Sequence, residues 1–345
     1  QQAVVFNMSK KRITIPVFIP HTGCPHCCVF CNQWRVTGSL SQPDRLSVAQ
    51  TIDKYLSAVS PSVEKVELAF FGGSFTGIEQ DIQERYLSWI QPYIEKGDIS
   101  SIRISTRPDY INESALFLLK RYNVETVELG VQSFDDKVLE ASGRGHSFHD
   151  SIRAVNLVKE SGFRCGIQLL PGLPKDTFRK SVTTAEITVS LKPDDVRIYP
   201  AVVLKDTVLE ELYSAGEYSP MTIEETVELC SIMYGMFYEN GINIIRMGLH
   251  PMDFSEGDNP VVAGPYHPAM GFMIKSRYRR GILEALFKKW YIDHSDCKSV
   301  TLLLPGRNRE EFIGMNRVNI FYLKEKFFLT DIICKYSDNS EPSIQ

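Results

Sequence analysis

Short apolar runs alternate along the chain with longer stretches whose apolar positions recur at helical spacing. The runs are ITIPVFI (13–19), KVELAFF (65–71), SIRIST (101–106), VETVELGV (124–131), FRCGIQLL (163–170) and DVRIY (195–199). Several are nearly continuous in apolar or β-branched residues, as expected of parallel strands covered on both faces. Between them lie candidate helices over 47–59, 81–94, 113–122, 150–161 and 175–190, with Asp, Ser or Asn near their starts. Strand–helix alternation at this spacing predicts βαβ units in a parallel sheet. Six units ending near residue 240 suit an α/β fold, a partial (β/α)6 TIM-like barrel with its functional residues just after the strand C-termini. An open, doubly wound sheet satisfies the same periodicity.

Past Gly248 the texture changes. Residues 250–271 (HPMDFSEGDNPVVAGPYHPAMG) are rich in Gly, Pro and His, and read as an ordered loop or linker. Helical spacing resumes over 272–290, followed by a strand (299–304), a turn (305–308) and a helix (318–328). The expected division is a barrel over 1–249, a linker over 250–271 and a small basic α/β module over 272–345. The 345 residues are 43% hydrophobic and 23% charged, enough apolar material for a core and too much for wholesale disorder. No apolar run approaches the roughly 18 residues needed to cross a bilayer, and QQAVVFNMSKKR lacks the apolar stretch of a signal peptide. A cytoplasmic location without membrane attachment is expected. The net charge of -4 hides an asymmetry: residues 1–270 carry 25 basic against 33 acidic side chains, and 271–345 carry 13 against 9.

Eight cysteines are too few for a disulfide scaffold of this size, but four of them fall between Cys24 and Cys31, directly after the first strand. Cys24, Cys28 and Cys31 are spaced C-x3-C-x2-C. Three thiolates on a short loop can hold three irons of a [4Fe–4S] cluster and leave the fourth without a protein ligand. An open position of that kind separates a reactive metal centre from a closed structural one. Cys27 offers other ligand choices, and zinc is the competing metal, although the remaining cysteines (Cys165, Cys230, Cys297 and Cys334) are isolated rather than paired. After the second strand, Phe70-Phe71-Gly72-Gly73-Ser74-Phe75-Thr76-Gly77 places paired glycines where a backbone can approach a ligand, or simply make a turn. Ser105-Thr106-Arg107-Pro108-Asp109 ends the third strand. Gly130-Val131-Gln132-Ser133-Phe134 ends the fourth, with Arg144 twelve residues after Gln132 in SGRGH (142–146). Gln168-Leu-Leu-Pro-Gly-Leu-Pro174 ends the fifth.

Carried by these residues, the sequence resembles the radical S-adenosylmethionine superfamily. The resemblance implies a [4Fe–4S] cluster on Cys24, Cys28 and Cys31, with Cys28 rather than Cys27 as the second ligand. It also implies S-adenosylmethionine on the open iron and an external electron donor. In such enzymes reductive cleavage releases methionine and a 5′-deoxyadenosyl radical. The same resemblance makes Gly72, Gly73, Ser74, Ser105, Gln132, Arg144 and Gln168 the expected cofactor contacts. Ser74 stands where relatives have Glu, so backbone groups there would take over the contact, and Ser105 likewise replaces a common Glu. An Arg at 144 suits the ligand carboxylate, which its planar fork binds bidentately. The runs FFGGSFTG, ELGVQSFDDKVL, SGRGH and RIYPAVVLKDTVLEELY resemble the radical domain of elongator-type (third subunit) tRNA-modifying proteins over about 13–270. Those proteins act on the wobble uridine of tRNA and carry an acetyltransferase domain, for which no matching region is seen here.

In the C-terminal module, Phe312-Ile313-Gly314-Met315-Asn316-Arg317-Val318-Asn319-Ile320 is similar to the Ile-Gly-x-x-Gly-x-x-Ile signature of KH domains, whose loop clamps a nucleotide backbone. Arg317 stands at the second glycine and adds a phosphate-pairing charge. Arg307, Arg309, Gly314 and Arg317 are the candidate RNA contacts, in a region that also holds Arg277, Arg279, Arg280, Lys288, Lys289 and Lys298. The bland reading is a small module with solvated charges. Tyr199 and Lys205 are expected to face the barrel mouth, and His250 and His267 to be loop residues. The favoured function is a radical enzyme acting on a tRNA base. The alternatives are a radical enzyme on a tetrapyrrole-like or metabolic small molecule, and a noncatalytic iron–sulfur protein that binds RNA.

Overall fold

The computed structural model describes residues 12–24, 28–32, 41–60, 62–249 and 259–345. In chain order the elements of the larger body are β1 (Arg12–Phe18), α1 (Arg45–Ala58), β2 (Lys65–Phe71), α2 (Gln80–Glu95), β3 (Ser101–Thr106), α3 (Glu113–Arg121), β4 (Val124–Gln132), α4 (Asp136–Ala141), α5 (Phe148–Glu160), β5 (Arg164–Leu169), α6 (Phe178–Leu191), β6 (Asp195–Ile198), β7 (Val203–Leu204), α7 (Val208–Ser214), α8 (Ile223–Glu239), β8 (Asn243–Met247) and β9 (Val261–Ala263). Seven strands form one sheet in the order β1-β2-β3-β4-β5-β6-β8, and every neighbouring pair is parallel. Helix starts follow the local chemistry: Asp44 with Ser47, Ser147 with Asp150 and Thr222 with Glu225 close reciprocal capping boxes, and Asn112, Asp135, Thr177 and Thr207 cap singly.

Alternation along each strand divides the sheet into two surfaces. Ile15, Leu68, Ile102, Ile104, Val127, Ile167 and Val196 face the helices and are fully buried. The opposite positions line a concave interior and are polar or small: Thr14, Glu67, Arg103, Ser105, Thr126, Glu128, Gly166, Asp195 and Arg197. Arg103 on β3 binds Glu67 on β2 (2.9 Å), Glu128 on β4 (2.9 Å) and Asp195 on β6 (3.0 Å). In a flat sheet β3 and β6 lie three strand spacings apart, about 14 Å. One side chain reaches both, so the sheet is curled into the expected partial barrel. Glu67 also accepts from Arg12, and Glu128 from Arg197, while Asp195 accepts from Arg164 and Asn243. Burial opposes charge on Arg103, but its three carboxylates outweigh it and hold the guanidinium firmly protonated. Burial raises and Arg103 lowers the Asp195 carboxyl, which ends below its ordinary value.

The barrel has seven strands where six were expected. The seventh, β8, escapes the periodicity because Asn243 and Arg246 interrupt a short apolar run. Helix α8 was also not read from the pattern: it is apolar nearly all round, burying Leu229, Cys230, Met233, Tyr234 and Phe237. Residues 250–258 of the expected linker lie outside the described residues. Beyond them β9 pairs antiparallel with β7, so this part of the linker is tied to the barrel.

The C-terminal module comprises α9 (Met270–Tyr291), β10 (Ser299–Pro305), α10 (Arg309–Ile313), α11 (Val318–Lys326), β11 (Asp331–Ser337) and β12 (Ser343–Ile344). The expected boundary at 271/272 falls inside α9, whose Met270 and Ile274 belong to the barrel core and whose Leu283 and Phe287 belong to a second core with Val300, Leu302, Leu304, Ile320, Leu323 and Phe327. Strand β10 is central, parallel to β11 and antiparallel to β12.

The Arg103 quartet gives the first testable expectation. Arg103→Leu removes the cation shared by three buried carboxylates, each left with its remaining partner, and should cost about 3 kcal/mol in urea unfolding at neutral pH. Because the Asp195 carboxyl is lowered on folding, its contribution is complete above about pH 4 and is lost as pH falls through the lowered value. Acid unfolding of Asp195→Asn should therefore be less steep than that of the parent chain in this range.

Candidate active site

The loop after β1 carries the cysteines against the loop after β2. His21 and Gly23 adopt left-handed backbone (φ 56° and 73°). A Cβ at Gly23 would lie 2.2 Å from the Ser74 carbonyl, and one at Gly73 would lie 2.4 Å from the Thr22 carbonyl. The two turns can pack only with glycine at both positions. Further hydrogen bonds tether the cysteine loop from above: Val29 N–H donates to Ser142 O (3.1 Å), and Leu209 N–H to Val29 O (2.8 Å). Cys24, Cys28 and Cys31 form no disulfide among the described residues, and Cys27 lies outside them. Arg144 Nη1 lies 3.2 Å from Cys28 Sγ. Burial and the neighbouring Cys28 push the Cys24 thiol up, while Arg107 and Arg144 pull it back. Among the described residues no three ligand-type side chains converge on one point. Convergence is the geometry of a single ion; in a cluster each thiolate takes its own iron.

Ser74 is fully buried. Its hydroxyl contacts Thr106 Oγ1 (3.0 Å) and accepts from Arg107 N–H (3.2 Å), its N–H donates to Thr22 O, and its carbonyl accepts from Gly77 N–H. Its replacement of an acid thus ties β2 to β3. The Cβ position of Gly73 is filled by the Thr22 carbonyl, and Gly72 beside it is half-buried with left-handed backbone (φ 98°). Gln168, half-buried, donates to Glu128 and so belongs to the polar interior. Tyr199 does face the interior, accepting from Arg197 (3.1 Å), whereas Lys205 contributes main chain, its carbonyl accepting from Asn32 (3.1 Å). His267 Nδ1 accepts from Ala269 N–H (3.0 Å) at the start of α9, and His250 lies outside the described residues.

Around the β3 and β4 ends several buried polar atoms lack a hydrogen-bond partner among the described residues: Ser105 Oγ, Gln132 Oε1, Arg107 Nη1, Arg144 Nε and both ring nitrogens of His146. Gln132 has left-handed backbone (φ 70°) where β4 slips register against β5, and Arg144 donates to the Gly130 carbonyl beside it. Arg107 is locked by Asp109 through two bonds of 3.0 Å, leaving Nη1 unused. Buried groups of this kind normally find partners, so the arrangement fits a polar ligand bearing carboxylate and hydroxyl groups. Three thiols beside two guanidinium groups fit an anionic iron–sulfur cluster. Arg107 and His146 were not singled out from the sequence, although both lie in the motifs STRPD and SGRGH that were.

The RNA candidates occupy the other module. Gly314 has φ 79°, and a Cβ there would lie 2.8 Å from Val318 Cγ1. Arg317, at the second-glycine position, is itself left-handed (φ 61°) and exposed with Met315 and Asn316. Arg307 is exposed, and Arg309 stacks 4.6 Å over Tyr336. Three other basic residues are internal instead: Arg277 binds Glu228, Arg279 sits over Tyr238, Tyr278 and Phe312, and Arg280 over Tyr322.

Burial and the nearby Arg144 hold the His146 imidazole neutral, with its pKa lowered to about 3. A histidine that folding keeps neutral lowers stability as pH falls below its unfolded value of about 6.5, by on the order of 1.4 kcal/mol per pH unit. His146→Asn should flatten that slope between pH 6.5 and 4.5 in denaturant unfolding; an unchanged slope would place the proton uptake elsewhere.

Residues 18–186 match the model of the Radical SAM superfamily, and 193–280 match the Radical SAM C-terminal domain. A tRNA uridine(34) acetyltransferase of Methanocaldococcus jannaschii is 31% identical over 196 residues, covering 51% of this chain and 36% of the relative. Human elongator complex protein 3 is 27% identical over 194 residues, with 50% and 36% covered. The chain thus spans little more than a third of these relatives. An uncharacterised protein of Methanocaldococcus jannaschii is 31% identical over 235 residues, with 65% of this chain and 71% of the relative covered. The structure of archaeal Methanocaldococcus infernus Elp3 with its N-terminus deleted superposes with a TM-score of 0.62 at 23% identity, covering 81% of this chain and 64% of that one, which confirms the fold. Among the described residues no helix is long and apolar enough to cross a membrane. The C-x3-C-x2-C loop at the mouth of a partial barrel and the family match agree: this chain belongs to the radical S-adenosylmethionine superfamily.

Proposed function

We propose that the chain cleaves S-adenosylmethionine reductively at a [4Fe–4S] cluster on Cys24, Cys28 and Cys31, and uses the radical to modify a base of tRNA, the wobble uridine being the favoured position. The observation that carries the chemistry is three cysteines spaced C-x3-C-x2-C after β1, next to the β2 turn, with Arg144 against Cys28 and unsatisfied polar atoms beside it. When bound, the cluster supplies the electron, received from an external donor, and S-adenosylmethionine supplies the 5′-deoxyadenosyl radical. The residues around it orient and exclude water. Arg144 places a positive charge against the thiolates, and its unused Nε together with Arg107 Nη1 can receive the ligand carboxylate bidentately or singly. Gln132 Oε1 and Ser105 Oγ accept or exchange hydrogen bonds with amino and hydroxyl groups, while Gly72 offers backbone. Ser74 and Gln168 support the walls.

Two facts support RNA as substrate. The relatives quoted above include enzymes named for tRNA uridine, and the C-terminal module exposes Met315, Asn316 and Arg317 on a KH-like turn between two helices. Gly314 shapes that turn, and Arg307 and Arg309 flank it as candidate phosphate contacts. A cytoplasmic location follows from such a substrate.

Anaerobically reconstituted protein given dithionite and S-adenosylmethionine should yield 5′-deoxyadenosine, and Cys28→Ala should reduce the yield to background; a fully loaded cluster without product defeats the radical reading. Mass spectrometry of tRNA nucleosides with and without the gene should differ at one modified uridine, and identical profiles would move the substrate to a small molecule. Arg317→Glu should weaken tRNA binding several-fold and reduce the salt-dependence slope by about 1, measured by titration at several salt concentrations.

A further inference from the structure

The barrel interior above the Arg103 quartet has two unlike sides. On the β3–β4 side its lining is small: Ser105, then Gly130, beside the cysteine loop. On the β1–β2 and β6–β8 side it is aromatic and cationic. Strand alternation puts Phe18 on the same face as Thr14, whose hydroxyl meets Glu67, and puts Phe71 on the same face as Glu67. The two rings lie 6.3 Å apart at 39°, and Phe18 is 37% exposed. The Arg197 guanidinium lies 5.3 Å from the Phe71 ring centre and is held there by Glu128 and Tyr199. Arg246, on the neighbouring β8, feels Tyr199, Arg197 and Tyr266. Among the described residues its guanidinium donates to the main-chain carbonyls of Gly248 and Leu249 (3.1 and 3.0 Å) and to no carboxylate.

We propose that this wall is the substrate subsite for a single pyrimidine nucleotide of RNA: the base stacks on Phe18 at the edge of the Phe18–Phe71 corner, and a flanking phosphate pairs with Arg246. The partly exposed Phe18 ring, beside Phe71 and facing the polar interior, offers a planar face on which a base can stack. The 39° tilt between the rings favours a small heterocycle, since an extended macrocycle could not lie flat on both. Arg246, with its charge not neutralised by a carboxylate among the described residues, matches an anion attached to that heterocycle. Stacking in this cavity requires a base turned out of its neighbours, as a single-stranded loop presents it. The inference deepens the proposed function and rests on RNA being the substrate.

The test uses the reconstituted holoenzyme with S-adenosylmethionine and a single-stranded RNA heptamer carrying one 5-iodouridine, whose photo-cross-links to aromatic side chains are mapped by peptide mass spectrometry. The expected cross-link falls on Phe18 or Phe71. Phe18→Leu should weaken heptamer binding about ten-fold, and Arg246→Gln should weaken the heptamer while leaving binding of uridine nucleoside unchanged. The spectral change of the reduced cluster on adding S-adenosylmethionine reports that each variant is folded. Cross-links confined to 315–317, with tRNA still modified, would overturn the subsite and leave the RNA reading standing. An unchanged tRNA nucleoside profile would overturn that reading itself. Competition of the heptamer by a tetrapyrrole, with no cross-link, would assign the wall to a macrocycle and overturn the proposal.

Discussion

Arg103 is the side chain on which the barrel depends. Fully enclosed, it binds carboxylates from β2, β4 and β6, and so joins strands that no hydrogen-bond ladder connects directly. Removing three carboxylates and a guanidinium from water costs several kcal/mol per group, and the geometry must recover it. The charges therefore do less to stabilise the chain than to select one curvature: a flatter sheet would carry Asp195 out of reach of Arg103. The same layer makes a polar floor beneath the loops at the strand C-termini.

That floor explains why the site is built from loops that hold each other. The described residues of the cysteine loop are held by close backbone contacts with the β2 turn and by hydrogen bonds to Ser142 and Leu209. Gly23, Gly73 and Gly77 serve this contact; the paired glycines chiefly let two backbones meet. Ser74, Thr76 and Thr106 extend it sideways as a small buried hydroxyl cluster. Thiols, Arg144 and Arg107 are thus positioned by one rigid assembly, as a ligand-binding site requires.

Much of this was legible in the sequence. Five helices and the first six strands lay within a few residues of their expected bounds, because each buries a contiguous apolar face whose period shows in one short segment. The three cysteines stood out because their chemistry depends on local spacing. Less legible were β8, broken by polar interior residues, and α8, apolar on too many sides to display a stripe. The basic C-terminal region is misleading as a count: Arg277, Arg279 and Arg280 are engaged by Glu228, Glu311 and a ring of aromatics, while Lys288, Lys289, Lys298, Arg307, Arg309 and Arg317 are exposed.

The sequence by itself determined the alternating strand–helix architecture, the place of the thiols after the first strand and the family to which they point. Each of these is written in residues adjacent or nearly so. Tertiary structure alone decided which polar side chains are spent and which remain available. Gln168 and Ser74 were chosen from motifs, yet their partners come from other strands, and Arg107 and His146 emerged because folding buries them with atoms unsatisfied. Hydrogen-bond satisfaction is a property of neighbours brought together across the sheet, and no periodicity along a single strand records it.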